Sequence, residues 1–309
     1  LKINDINNDG RNEIIIGGLD GLLRVFKCKL SYELIPFWTH QFGSSISGIL
    51  IDDINNDKKD EIIVYSLDKT IRILNPIDGS LVWGQIFEDG IGDVIIWIDN
   101  KELAKKQICA CGNDGTIRIF DGNNGNLLWF KQYSDKIRCI SRLNSNERSM
   151  ILCGGDDKTL HFIDKNTHLE VKFIEFNDYI WQCISFPEKS LTKTLISSYS
   201  FAYFDTPVSI NKIQFSSKLV CIDENLNITW ELKGKNCEFI GIFEKQQSFF
   251  AHIGTTKGEI LIIDSVTGEI MIELKKKSSI NMTQVLSDKN LLFSCHEDGT
   301  IFAYFLEDY

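Results

Sequence analysis

The 309-residue chain is poor in several things that would define other classes of protein. It has 4 prolines and 3 methionines. It has no apolar run approaching 18 residues, so no membrane-spanning helix is expected within it. It shows no sustained 3.6-residue periodicity; "NKELAKKQ" (100–107) has no apolar face. Its nine cysteines are scattered, with no CxxC pair, which removes zinc knuckles and thioredoxin-like redox motifs. The five histidines, at 40, 161, 168, 252 and 296, form no HExxH, and neither GxSxG nor a Gly-Lys phosphate loop is present. The chain is therefore read as non-enzymatic. Arginine is scarce beside lysine, 7 against 26, and the net charge is −10 with a pI near 5.1, which argues against a nucleic-acid partner. Lys275, Lys276 and Lys277 form the one basic run of note, read as a solvated loop.

What is present is repetition. An apolar run, a turn of the Asp-Gly kind and a second apolar run recur mostly every 40 to 48 residues. They read "EIIIGGLDGLLRVF" (13–26), "EIIVYSLDKTIRIL" (61–74), "QICACGNDGTIRIF" (107–120) and "MILCGGDDKTLHFI" (150–163). "AHIGTTKGEILIID" (251–264) and "LFSCHEDGTIFAYF" (292–305) continue the series. A degraded copy, "TLISSYSFAYF" with "KLVCIDE", fits between the fourth and fifth of these. Each copy has the marks of a β-hairpin. The near-continuous apolar runs imply strands buried on both faces by stacked sheets. A further strand before and after each hairpin completes a four-stranded unit, and seven such units predict an all-β, seven-bladed β-propeller. The blades are expected near 1–43, 44–88, 89–133, 134–176, 177–234, 235–276 and 277–309 of a single domain. Gly and Trp recur around the last turn of the unit, as in "DGNNGNLLW" (121–129) and "NPIDGSLVW" (75–83), and each Trp is expected to cover apolar surface between blades. Cys111, Cys153 and Cys295 hold corresponding positions three residues before the turn Asp, which marks them as strand core. Dispersed thiols of this kind suit a reducing, cytoplasmic setting; an extracellular one is the alternative.

The last unit lacks a fourth strand, and Leu1 already falls inside a first strand. The expectation is that the chain is part of a longer protein, and that residues upstream of Leu1 supply the missing strand or the ring closes imperfectly.

The first two units add an acidic loop between their first and second strands, "DINNDGRNE" and "DINNDKKDE". Asp5, Asn7, Asp9 and Glu13, with the Arg11 carbonyl, fall at the spacing by which a short loop wraps a hard cation such as Ca²⁺. Asp53, Asn55, Asp57 and Glu61 repeat it, with Lys59 at the carbonyl position and Lys58 where the first loop has Gly10. A structural calcium site is one reading of these loops. Asn- and Asp-rich turns closed by their own side chains are the other.

These loops on these hairpins resemble FG-GAP or VCBS repeats, which include the calcium-binding blades of integrin α-subunit propellers. Asn and Glu here replace two of that pattern's Asp residues. Units three to seven resemble PQQ-like and WD40-like repeats through "DGTIRIFD…G…LLW". Mixed propellers of this style also resemble subunits of intracellular scaffolds, such as ciliary Bardet–Biedl coat complexes and lysosomal signalling scaffolds. The resemblance implies a binding platform. Quinoprotein enzymes carry eight blades and an adjacent cysteine pair, which this chain lacks.

A protein partner is expected on the face shared by the blade-to-blade connections and the turns between second and third strands. Arg138 lies in the entry to blade 4, and Tyr179 and Trp181 in the entry to blade 5, residue types that anchor interfaces. The longer interval within unit five leaves an insertion near 204–217 that carries Val208, Ile210, Ile213 and Phe215. The competing reading is an exported, ligand- or carbohydrate-binding propeller.

Overall fold

The computed structural model describes residues 1–29, 33–98, 105–144, 149–188, 191–199, 217–225, 227–286 and 290–306. The expected interface residues Val208, Ile210, Ile213 and Phe215 lie outside them. Every regular element described is a β-strand. The first sheet contains β1 (Lys2–Asn4), β2 (Glu13–Gly17), β3 (Leu22–Cys28) and β4 (Leu34–Gln41). The second contains β5 (Ile46–Asp52), β6 (Glu61–Ser66), β7 (Thr70–Leu74) and β8 (Leu81–Ile86). The third contains β9 (Ile91–Ile98), β10 (Lys106–Gly112), β11 (Thr116–Asp121) and β12 (Leu127–Gln132). The fourth contains β13 (Ile137–Asn144), β14 (Ser149–Gly155), β15 (Thr159–Asp164) and β16 (Glu170–Glu175). The fifth contains β17 (Ile180–Glu188), β18 (Leu191–Tyr199), β19 (Ser217–Ile222) and β20 (Ile228–Lys233). The sixth contains β21 (Cys237–Lys245), β22 (Ser248–Thr255), β23 (Glu259–Asp264) and β24 (Ile270–Lys275). The seventh has three strands, β25 (Ile280–Leu286), β26 (Leu291–His296) and β27 (Ile301–Phe305). Each sheet is an antiparallel meander in chain order, and together they are the seven blades expected from the repeat.

The chain divides into two compact units, residues 1–138 and 139–309. In each, the core lies between successive sheets. Ile15, Leu23 and Val25 of blade 1 pack with Ile49, Ile62 and Val64 of blade 2. Ile63, Ile71 and Ile73 pack with Ile91, Ile108 and Phe120 of blade 3. In the second unit Leu195, Leu219 and Cys221 pack with Ile240, Ile253 and Leu261. Second strands therefore face cores on both sides: every residue of β6 is buried. Each such isoleucine contributes about 2–3 kcal/mol by leaving water. The nine cysteines carry no disulfide, and seven of them are buried. Burial pushes the Cys237 thiol up to about 12, so these are packing groups.

Three tryptophans of fourth strands clasp the following blade. Trp38, Trp83 and Trp230 donate their indole N–H to the carbonyls of Pro76, Gly122 and Ser265, at 2.9, 3.0 and 3.0 Å. Each ring lies on the turn glycine of that blade: a Cβ at Gly79, Gly125 or Gly268 would meet it at 2.8, 2.5 or 2.7 Å. The expected cover between blades is thus a specific Trp–Gly pair. The glycine is needed for its missing side chain as well as its positive φ.

Candidate functional site

Two kinds of feature stand out from this frame: the acidic loops and the blade entries. The loops connect β1 to β2 and β5 to β6, as the sequence implies. Ile6 and Ile54, one in each loop, are buried and belong to the inter-blade cores. Their backbone N–H groups donate to Glu13 Oε2 and Glu61 Oε2, at 3.2 and 3.0 Å. The other oxygen of each glutamate accepts from the amide of Asn7 or Asn55. Asp5 accepts from the N–H of Asp9 and Gly10, and Asp53 from Asp57 and Lys58. Asn7 accepts from Asp9, and Asp9 from the Arg11 N–H; Asn55, Asp57 and Lys59 repeat both bonds.

The two loops therefore close in the same way, on their own amides. The donor types and spacing suit a hard cation, but the carboxylates are turned to N–H groups. Among the described residues no three His, Cys, Asp or Glu side chains form a group that could hold a metal. Burial raises the Glu13 carboxyl against the Ile6 N–H, with Asp9 and Asp5 adding repulsion. Glu61 is pushed up to about 7, again by burial first. Lys58 takes φ 70°, where the first loop has Gly10 at 83°.

The blade entries share a second device. At the entries to blades 2, 3, 6 and 7 the connection is bonded to the turn between the second and third strands of the blade it enters: Leu67 N to Ser45 O, Asn113 N to Gly90 O, Thr256 N to Asn236 O and Glu297 N to Ser279 O. Connections and turns thus lie on one face. Where the first strand begins, its pairing slips by one residue, a β-bulge. Ser47, Gly92, Trp181, Glu238 and Asn281 are the skipped residues. Arg138 follows Ile137 at the corresponding place of β13. A bulge leaves its extra residue out of the ladder and re-aims its side chain. The six positions hold Ser, Gly, Arg, Trp, Glu and Asn, a diversity the packed strands do not show. Trp181 and Arg138 are half-buried, as is Tyr179, over whose ring Lys158 Nζ lies at 5.5 Å. The sequence picked out Arg138 and Trp181 by residue type. That they hold equivalent positions was hidden, because a bulge leaves the apolar alternation around it intact.

A cation–π seat also recurs between blades. The Arg72 guanidinium lies 4.3 Å from the Phe42 ring and pairs with Asp68 at 3.0 Å. Arg118 repeats this on Phe87 with Asp114, at 4.1 and 2.9 Å. In the last blade the partners are exchanged: Phe302 stands where the arginine was, and Lys276 lies 4.2 Å above its ring. Lys276 is fixed as its counterpart Phe42 is, by an N–H bond to the preceding turn. The middle of the basic run is therefore seated on a ring, not in a solvated loop.

The architecture defines the class, a seven-bladed β-propeller with three strands in its last blade. The family model of the KICSTOR complex protein kaptin matches residues 1–82. Two crystal structures of BBS1N in complex with ARL6DN, one soaked with lead and one with mercury, share the fold. The first has 12% identity and a TM-score of 0.74 over 99% of this chain and 91% of that one. The second has 11% identity and a TM-score of 0.75 over 99% and 92%. No curated protein matches. No helix among the described residues is long and apolar enough to cross a membrane.

Proposed function

We propose that this chain is a non-enzymatic β-propeller scaffold that docks a protein partner through its blade-entry face. The observation that carries the reading is Trp181, held out of the ladder by the bulge of β17, with Tyr179 two residues before it. An aromatic residue re-aimed by a bulge on a rigid strand is a fit anchor for an interface. Two fold neighbours crystallised in a complex, BBS1N with ARL6DN, and the family match to a complex protein over residues 1–82 support it. The insertion with Val208, Ile210, Ile213 and Phe215 belongs to the same proposed surface, and a cytoplasmic location goes with it.

Calcium enters the proposal as a structural ligand of the loops, through Asp5, Asn7, Asp9, Glu13 and the Arg11 carbonyl, and through their second-loop counterparts. The repeated donor spacing supports it, and its role would be hairpin stability.

The test is partner recovery by affinity purification with the wild-type chain, the Tyr179→Ala/Trp181→Ala variant and a deletion of residues 211–216. Loss of about 2 kcal/mol or more per anchor, read as at least a tenfold drop in recovery with an unchanged melt, is expected. Undiminished recovery by both variants would overturn the surface.

A further inference from the structure

We propose that the outer strand of blade 2, β8, pairs with the same strand of a second copy of this chain, antiparallel about Gly84. The inference stands apart from the entry-face reading and concerns the rim of the blades.

The fourth strand is the outer edge of its blade, paired on one side only among the described residues. Natural sheet edges are commonly guarded by charge. In the unit of residues 139–309 they are so guarded. There β16 reads Glu-Val-Lys-Phe-Ile-Glu, β20 Ile-Thr-Trp-Glu-Leu-Lys and β24 Ile-Met-Ile-Glu-Leu-Lys. In the unit of residues 1–138 the guard is thin. β4 has no Lys, Arg, Asp or Glu but carries Pro36, which blunts an edge. β12 keeps one lysine, Lys131, whose Nζ lies 4.7 Å from the Tyr133 ring. β8 reads Leu-Val-Trp-Gly-Gln-Ile, with neither charge nor proline.

The apolar side chains of β8 are open to water: Leu81, Val82 and Ile86 are 57%, 50% and 72% exposed. The one charge on the strand beside it is already paired, since Arg72, opposite Gly84, holds Asp68 at 3.0 Å. A flat, uncharged apolar edge of this kind is a template for pairing.

The backbone fixes which groups are open. Phe87 N donates to Lys69 O, across the ladder from β8 to β7. Hydrogen-bonded pairs alternate along an antiparallel ladder, so Gln85 and Trp83 share that inward-facing set. The N–H and C=O groups of Gly84 and Ile86 then face the open edge. A two-fold axis between identical antiparallel strands stands normal to the sheet, so the pairing must centre on a single residue. Centred on Gly84, the two bare glycine backbones exchange both N–H···O bonds. Val82 of each copy then meets Ile86 of the other, an aliphatic pair made twice. Centring one residue to either side sets Trp83 against Trp83, or Val82 against Glu88.

Charge selects a second copy as the occupant. The chain carries a net −10, so two copies repel wherever their acidic surfaces meet. β4, β8 and β12 contain no Asp or Glu, which makes this rim the place where copies approach without that repulsion. Area asks for more than the strand. A stable dimer buries about 800 Å² of each partner, beyond what a six-residue strand supplies. The joined sheet sets blade 3 of both copies on the same side of it. There Leu127, Leu128 and Phe130 are 51%, 51% and 59% exposed.

The test is sedimentation velocity of the full chain from about 1 to 100 µM, where a concentration-dependent dimer is expected. V82E/I86E sets glutamates opposite each other twice and should weaken dimerisation at least tenfold. V82K/I86E sets lysine opposite glutamate at the same two places and should dimerise at least tenfold more tightly than V82E/I86E. Both positions are half exposed or more, and an unchanged melt checks that each variant folds. In the unaltered chain the Gly84 and Ile86 amides should exchange rapidly when dilute and slowly when concentrated.

A chain that stays monomeric at about 100 µM overturns the proposal. So does a dimer that V82E/I86E leaves unchanged, which would use another surface. V82K/I86E no tighter than V82E/I86E overturns the pairing about Gly84. Amides already protected in the dilute chain would show that the strand is covered by the protein itself. A monomeric chain that loses a co-purifying protein on V82E/I86E would give the strand to a different partner, which also overturns it. None of these readouts uses Trp181, so failure here leaves the entry-face proposal to its own test.

Discussion

The third strands of blades 3 and 7 are introduced by the same four residues, Asp-Gly-Thr-Ile, and lead into opposite surroundings. In both, the Asp accepts from the Thr N–H and hydroxyl, so the turns are alike. Ile117 then enters a core and is fully buried, while Ile301 is 47% exposed. β11 is paired by β12, whereas among the described residues no strand pairs the far edge of β27. A hairpin is thus settled by its local sequence, but the burial of its second strand is settled by a neighbour. The largest effect should follow directly. Ile117→Ala should cost about 3–4 kcal/mol in urea unfolding, and Ile301→Ala about 1 kcal/mol or less. Equal costs would mean that β27 is covered in solution.

The turn glycines sharpen the same contrast. Gly125 has φ 73° and lies under the Trp83 ring, whereas Gly299 has φ 82° and no atom within 4 Å of the place of a Cβ. Alanine at Gly299 should cost only the left-handed backbone, about 1 kcal/mol. At Gly125 it must also displace the indole, so about 2 kcal/mol or more is expected. A Trp83→Ala background should bring the Gly125→Ala cost down to that of Gly299→Ala, which a double-mutant cycle would read.

The cation–π seats separate the two regions by pH. Beside Arg72, His40 Nδ1 contacts Gly79 O at 3.1 Å and Nε2 contacts the guanidinium at 3.2 Å. The neutral ring satisfies both if Nδ1 donates and Nε2 accepts. Burial lowers the His40 pKa from its ordinary 6.5, and Arg72 adds repulsion against the Gly79 carbonyl. The folded protein therefore binds fewer protons than the unfolded chain. This group's contribution is present above pH 6.5 and lost as pH falls through the lowered value. The seat at Phe302 has Lys276 as its cation and Leu274 in the place of His40. In melts from pH 7.5 to 5 the wild type should lose stability relative to His40→Gln, on a shared background of opposite sign from Glu13 and Glu61, whose raised carboxyls take up protons on folding, whereas Lys276→Met should leave the wild-type slope as it was.

The legible part of this molecule is what a short stretch of chain decides alone. Asp-Gly and Asp-Lys turns between β-branched runs give the hairpins, and their period gives the blade count. Trp83 was read as inter-blade cover, which it is. Its partner was not legible: Trp83 and Gly125 are far apart in sequence, and the glycine's φ already explains its presence. The exchange of ring and cation at Phe302 and Lys276 escaped for the same reason, since neither residue is unusual in its own neighbourhood. The acidic loops show another limit. Spacing lists the oxygens available at Asp5, Asn7, Asp9 and Glu13, but an N–H group and a cation ask for the same oxygens. Only the fold shows Glu13 reaching back to Ile6.

That shared demand makes the two loops the finest comparison in the molecule. Their hydrogen bonds match one for one, and they differ at the sixth to eighth positions, Gly10-Arg11-Asn12 against Lys58-Lys59-Asp60. A cation must compete with the amides for Asp5 and Asp9, so binding should be weak, in the millimolar range of open extracellular modules. The second loop adds lysine charge beside the site and holds Lys58 at φ 70°. A melt with calcium against chelator should rise by a few degrees for the wild type, since about 0.5–1 kcal/mol of ligand binding is at stake. Asp9→Ala should abolish most of that rise and Asp57→Ala little of it. Lys58→Gly should stabilise the calcium-free protein by about 0.5–1 kcal/mol and enlarge the calcium response of the second loop. If no variant responds at millimolar calcium, both loops act as turns, and their repetition follows from Ile6 and Ile54. Each blade needs that isoleucine in its core, and each glutamate holds it there through its N–H.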